Sequence, residues 1–331
     1  MEPASSTAPE RPHDRLMGRV TALGPQWVSR LIAASLCLTF IMSSVQAIHG
    51  KVVFEGPMES NSAGRRFVRV YLPPSYEAAK ERRYPVLYVH DGQNAFTTVG
   101  PDVAFGWGNW ALDKTADDLM AAGKMQEAIL VAVDCTAQRY QDYRGPTAAT
   151  NNAAYEKYKR FLIEELKPRI DRDYRTLVDA RNTGVLGSSM GGICSLALAW
   201  ERPDVFGRAA SLSGAFQVEK RHFTSEILKN YQGKPKPIRI YLDSGVVDFS
   251  GGDDGRKNTE AVAAELRRIG WKDGLDLFHY VDAKPLTEAQ LGATGLRENK
   301  WKEAQTSQHN EFYWRIRAWR ALTFMFPPMH D

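Results

Sequence analysis

Cysteine is scarce in this chain of 331 residues, with Cys37, Cys135 and Cys194 the only three. No Cys-x-x-Cys or His-rich spacing occurs, so neither a zinc cluster nor cysteine-based catalysis is expected. Charge of one sign is also lacking. Lys and Arg number 43 against 39 Asp and Glu, a net charge of +4 with no basic run, which argues against nucleic acid as a partner. Internal repeats and low-complexity linkers are absent. Long apolar runs are rare: the one from Leu31 to Met42 is short for a membrane span, and nothing after it is long enough to cross a bilayer. No cofactor is expected. What remains is an ordinary globular composition, 43% hydrophobic and 25% charged, with ample apolar material for a core.

The first 47 residues read as an address. Arg11, Arg15, Arg19 and Arg30 precede the apolar run, and Val45-Gln46-Ala47 has the small-x-small form of a cleavage site. We therefore expect residues 1–47 to be a signal peptide cut after Ala47, delivering a single domain, 48–331, to the periplasm or the exterior. The alternative is an uncleaved signal anchor. Leu36 before Cys37 breaks the pattern for lipid attachment. Removing this segment takes four Arg and three acids, so the mature charge of about +3 steers no charged partner strongly. An exported compartment permits Cys135 and Cys194 to pair. Their places, at the end of an apolar strand and inside an apolar helix, fit small buried thiols better.

The mature chain alternates strand and helix signals. Two antiparallel strands are expected between Lys51 and Leu72, turning at Asn61-Ser62-Ala63-Gly64. Tyr84 to Val89 and Ala128 to Val133 are continuous apolar runs suited to strands buried on both faces. Short strands follow around Val185-Leu186, Ala209 to Ser213, Ile238 to Leu242 and Leu275 to Val281. Between them lie helical patterns at Trp110 to Met120, Tyr155 to Leu166 (closed by Pro168), Ile193 to Trp200, Thr259 to Ile269 and Glu311 to Phe326. This alternation predicts an α/β fold, a mostly parallel central sheet with helices on both faces. Two stretches, Asn94 to Asn109 and Ala283 to Gln308, look like insertions beside a site, where long loops form lids or walls.

One stretch carries chemistry. Gly187-Ser188-Ser189-Met190-Gly191 is a Gly-x-Ser-x-Gly bend between an apolar strand and an apolar helix, the setting that lifts a serine hydroxyl off the end of a sheet. A serine needs a base, and the base needs a third group to orient it. Of seven histidines, His13 leaves with the signal, while His49 and His330 lie at the two ends of the mature chain. His279 sits within a strand, His222 in a charged stretch, and His90 ends a strand ahead of the serine. His309, between the last strand and the last helix, is the expected base. Asp248, a few residues past Gly245 in the loop after strand Ile238–Leu242, is the expected acid. Its competitors are Asp243 at the strand end and Asp253 and Asp254 in the run Gly251-Gly252-Asp253-Asp254-Gly255, which otherwise reads as a solvated turn. The backbone amides of Met190 and Gln93 are expected to form an oxyanion hole.

The ordered set Val70-Tyr71-Leu72-Pro73-Pro74-Ser75-Tyr76, Tyr84 to Tyr88, His90-Asp91-Gly92-Gln93-Asn94, Arg139 with Asp142-Tyr143, Gly187 to Gly192, Pro203-Asp204-Val205-Phe206 and His309-Asn310-Glu311 resembles the esterase family of α/β-hydrolases. That family includes esterase D, enterochelin esterase-like enzymes, feruloyl esterases and the antigen 85 mycolyltransferases. The resemblance runs from about Phe67 to Phe326. It implies an α/β-hydrolase with Ser189 as nucleophile, His309 as base and Asp248, after the strand-ending Gly245, as acid. The expected partner is a small-molecule or carbohydrate-linked ester, and the expected reaction is hydrolysis through an acyl-enzyme. Two other readings share the fold: an acyltransferase delivering the acyl group to a sugar or other alcohol, and a non-catalytic binding protein. Neither the acyl group, the alcohol nor the oligomeric state is encoded legibly.

Overall fold

Residues 49–147 and 152–328 are described by a computed structural model, and the expected signal peptide with its cleavage point at Ala47 lies outside them. Eight strands form one sheet: β1 (Lys51–Met58), β2 (Arg66–Leu72), β3 (Val86–His90), β4 (Ile129–Val133), β5 (Thr183–Ser188), β6 (Arg208–Leu212), β7 (Arg239–Ser244) and β8 (Leu277–Val281). Their spatial order is β1-β2-β4-β3-β5-β6-β7-β8. β1 and β2 pair antiparallel, as do β2 and β4, and every other pairing is parallel. This is the α/β-hydrolase arrangement that the motifs implied.

The apolar runs are continuous because both faces of the inner strands are covered. Val86 and Tyr88 of β3, with Ile129 and Val131 of β4, face one core, to which the helix Met190–Glu201 contributes Ile193, Leu196 and Ala197. Leu87, Val89, Leu130 and Ala132 point to the other, against Leu112 and Ala116 of helix Leu112–Ala121 and Ala318, Leu322 and Met325 of helix Glu311–Met325. The described residues contain no helix long and apolar enough to cross a membrane. Cys135 and Cys194 are both free, the latter fully buried.

One helix boundary departs from expectation. Pro168 does not close the helix that begins at Ala153. The chain continues from Ala153–Arg160 through a π-helical turn at Phe161–Leu166 into Lys167–Asp173, with the proline in the first turn of that last segment. A π turn shifts the hydrogen-bond ladder by one residue, and a proline is tolerated where the ladder restarts because its missing N–H is not called upon.

The parallel strands all end on one edge, and the loops leaving it carry the chemistry. β3 delivers Asp91 to Asn94, β5 delivers Ser189, β6 delivers Ser213, β7 delivers the turn from Gly245 to Gly255, and β8 leads into the excursion that returns at His309.

Candidate active site

Ser189 stands between β5 and helix Met190–Glu201 with φ 51° and ψ −117°, a strained conformation for a residue with a side chain. The turn holds it there: the Ser189 amide donates to the Leu212 carbonyl at 2.9 Å, and its carbonyl accepts from the Ala215 amide at 2.9 Å. Gly187 makes so tight a turn possible. A Cβ on Gly187 would lie 2.5 Å from the carbonyl carbon of Gly191, a collision of backbone with backbone.

His309 reaches this serine from the far side of the edge. Its Nε2 is 2.9 Å from Ser189 Oγ, and its Nδ1 is 2.6 Å from Asp254 Oδ1. A carboxylate can only accept, so the pairing fixes the proton on Nδ1 and leaves Nε2 free to accept from the serine hydroxyl. The imidazole is packed edge-on against Trp314, centroids 5.1 Å apart, and against Phe249 at 6.1 Å.

The carboxylate that meets His309 is Asp254, and the expected Asp248 does not. Asp248 Oδ1 accepts from the Ser250 amide (2.8 Å), the Ser250 hydroxyl (2.6 Å) and the Gly252 amide (2.9 Å), closing its own turn. Burial pushes its carboxyl up, but these hydrogen bonds outweigh that and hold it below the usual carboxylate range. The turn then doubles back through Asp254 and Gly255, both at positive φ (55° and 67°), before helix Arg256–Ile269 begins. That reversal carries the Asp254 side chain inward to complete burial. The other competitors fall elsewhere: Asp253 accepts from the Lys257 amide, and Asp243 accepts from the Ser213 amide at 3.1 Å and the Tyr241 hydroxyl at 3.0 Å.

Behind Asp254 lies a buried polar network that the sequence did not disclose. Asp254 Oδ2 accepts from the Ser213 hydroxyl at 2.7 Å and from the Gly245 amide. The Ser213 oxygen in turn accepts from Arg317 Nη2 (2.7 Å) and Trp314 Nε1 (3.1 Å). Arg317, 1% exposed, is ringed by three carboxylates, with Asp243 at 3.2 Å, Asp254 at 3.8 Å and Asp282 at 3.9 Å. Desolvation pushes the Asp243 carboxyl up to about 6 despite the guanidinium beside it.

The two residues expected as oxyanion donors lie on neighbouring loops of this edge. Met190 is the first residue of its helix, so its amide belongs to those a helix leaves without an internal acceptor. Gln93 lies in a short turn at the end of β3, its side chain tied by reciprocal hydrogen bonds to Cys135: Nε2 donates to Sγ, and the Cys135 amide donates to Oε1, each at 3.1 Å. Gly92 is required for packing, since a Cβ there would strike the β4 backbone at Val133 N, 2.7 Å away. Asp91, gripped at two points by Arg139 (2.7 and 2.8 Å), anchors the turn.

Ser189, His309, Gln93 and Asp91 open into a cleft of about 650 Å³. Both inserted stretches wall it. Phe105 and Trp107 come from one, and Lys300, Glu303 and Thr306 from the other. The two are tied by an Arg297–Asp102 ion pair and by the Lys300 ammonium 4.8 Å above the Trp107 ring. Phe105 and Phe249 stand at the mouth, 94% and 80% exposed. Glu311 lines the inner wall, where burial pushes its carboxyl up to about 7.

A family model described as "Putative esterase" matches residues 60–324. An endo-1,4-beta-xylanase/feruloyl esterase of Xylanibacter ruminicola is 30% identical over 214 residues, 62% of this chain but only 26% of that relative's length. The ferri-bacillibactin esterase BesA of Bacillus subtilis is 27% identical over 210 residues, covering 58% of this chain and 69% of its own. Among solved structures, a ferulic acid esterase superposes with a TM-score of 0.60 at 18% identity, over 84% of this chain and 98% of that one. An enterobactin esterase of Shigella flexneri gives 0.58 at 18%, over 84% and 59%. At such identities the structural likeness establishes the shared fold alone.

Proposed function

The chain belongs to the esterase family, and on that premise we propose that it is an exported serine hydrolase that cleaves a carboxylic ester through Ser189, His309 and Asp254. The observation that carries this reading is the unbroken chain of hydrogen bonds from Ser189 Oγ through the His309 ring to Asp254, at 2.9 and 2.6 Å, opening into the cleft. In the first step the Ser189 oxygen attacks the ester carbonyl carbon while His309 Nε2 takes the hydroxyl proton. Asp254 stabilises the imidazolium, and the Met190 and Gln93 amides receive the charge developing on the carbonyl oxygen. Collapse expels the alcohol, protonated by His309. Water then enters by the same route and releases the acid. The aromatic side chains Phe105, Trp107, Phe249 and Trp314 supply apolar surface for one half of the ester. Export rests on the sequence of residues 1–47 alone.

A fluorophosphonate probe followed by peptide mass spectrometry tests the reading. Labelling is expected at one serine, Ser189, and is lost in Ser189→Ala. Labelling that survives this substitution refutes it. Product analysis with and without a sugar acceptor distinguishes hydrolysis from acyl transfer.

A further inference from the structure

Three acidic side chains line the cleft, and two of them are matched to cations. Asp91 is held by Arg139, and Glu303 lies 3.1 Å from Lys300. Glu311 is different. Among the described residues it forms no ion pair, and the side chain that binds it is a neutral amide, Asn94 Nδ2, 3.2 Å from Oε1. An acidic residue in the first turn of a helix is ordinarily a solvated charge that favours the dipole. Glu311 opens its helix but is largely withdrawn from water, so it bears a desolvation cost that Arg139 and His309 ease only from a distance and that no ion pair offsets. It also lies two residues past His309, beside the reacting centre.

We propose that Glu311, with Asn94, is a specificity-determining pair that binds a hydroxyl group of the ester substrate. The inference rests on the serine-esterase reading of the same cleft. A carboxyl pushed up to about 7 can donate or accept near neutral pH, and an Asn side chain does both. A hydroxyl is the group that answers such a pair. Around the carboxyl stand Asp91, Arg139 and His309, and Lys300 and Glu303 line the same cleft. Arg139 and Lys300 are each spent on a carboxylate, Asp91 and Glu303, so these paired walls present no free charge that calls for an ammonium or an anion.

Matched ester pairs test this, one pair differing by a hydroxyl on the acyl chain and the other by a hydroxyl on the alcohol. Wild type is expected to favour the hydroxylated member of at least one pair by about tenfold or more in kcat/KM, because a part-buried polar pair covered by substrate and left unanswered penalises the analogue lacking the group. Glu311→Leu should erase that preference, chiefly through KM. Glu311→Gln, which still donates and accepts, should keep part of it, and Asn94→Ala should weaken it. Circular dichroism checks each fold; if Glu311→Leu does not fold, Glu311→Gln and Asn94→Ala carry the test. A preference unchanged in the variants, or wild type indifferent to hydroxyls in both pairs, overturns the inference. Fluorophosphonate labelling of wild-type Ser189 is read in parallel. Its absence condemns the esterase reading itself, whereas labelling with no hydroxyl preference condemns only the role of Glu311.

Discussion

Replacing Asp254 by Asn separates the two candidate acids sharply. One oxygen of Asp254 faces His309 Nδ1 at 2.6 Å, and the other accepts from the Ser213 hydroxyl and the Gly245 amide. The Gly245 N–H can only donate, so an asparagine must turn its carbonyl oxygen there and present its NH2 to the histidine. Nδ1 then becomes the acceptor, the proton moves to Nε2, and the ring can no longer take the proton of Ser189. The opposite rotamer sets the NH2 against the Gly245 N–H inside a fully buried site, which is also costly. Loss of about 10³–10⁴ in kcat is expected, equivalent to about 4–5 kcal/mol of transition-state stabilisation. Asp248→Asn is a contrasting control. All three bonds to Asp248 end on Oδ1, and an amide oxygen can accept the same three, so kcat should change by less than about threefold. The assay is turnover of a chromogenic ester, with circular dichroism and a thermal melt confirming that both variants fold. If Asp248→Asn loses the activity while folded Asp254→Asn keeps it, the assignment of Asp254 is refuted.

Two further outcomes follow from the same geometry. Gly187→Ala places a methyl 2.5 Å from the Gly191 backbone, and should cost about 1–3 kcal/mol or more in urea denaturation and slow probe labelling of Ser189 sharply; unchanged labelling would contradict the tight turn. Asp243 is a raised acid, ordinary value 3.8 and folded value about 6, so the native state binds its proton more tightly than the unfolded chain. Its contribution to stability is therefore present below about pH 4 and is lost as pH rises through about 6. The stability difference between wild type and Asp243→Asn should accordingly move by about 2–3 kcal/mol in the variant's favour between pH 4 and 6.5. A difference independent of pH would show that Asp243 does not hold this proton.

The sheet was legible because its inner strands are buried on both faces, which turns a weak alternating signal into runs such as Val86 to Val89 and Ile129 to Val133. Ser189 and His309 could be named because a bend needing Gly187 and a position between the last strand and last helix both leave marks in sequence. Asp254 left no such mark. Gly251-Gly252-Asp253-Asp254-Gly255 has the composition of a solvated turn, and what sends Asp254 inward is two successive residues at positive φ, a property of the fold around them. A signal did exist in the helical pattern that follows. A turn of this composition directly before helix Arg256–Ile269 has its last residues committed to the helix start, close to the sheet edge. Pro168 misled for a different reason, since a π turn needs a register shift that no residue type announces. Arg317 was hidden by its company: it is one of three arginines on its helix, with Arg315 and Arg320, and nothing in the sequence marks it as the buried one.

The excursion from Ala283 to Gln308 raises the question of how a long wall can be inserted between β8 and the base without moving the base. Gln308 answers it. Its amide donates to the Val247 carbonyl at 2.8 Å, its Oε1 accepts from the Val246 amide at 2.7 Å, and its Nε2 donates to the Asp282 carbonyl at 3.0 Å. The residue before His309 is thus bonded both to the loop after β7, which leads to Asp254, and to the residue before the excursion, so the two ends of the wall are closed on each other. Beyond His309, Trp314 packs on its ring, and Arg317, one turn further along, reaches the Ser213 hydroxyl that Asp254 also holds. His309 and Asp254 are therefore fixed through contacts that bypass residues 283–306, and from the end of the excursion the His309 amide meets the adjacent Ser307 hydroxyl at 3.3 Å. A loop closed in this way is free to change length and side chains, and hence the ester it admits, while the hydrogen bonds from Ser189 to Asp254 keep their geometry.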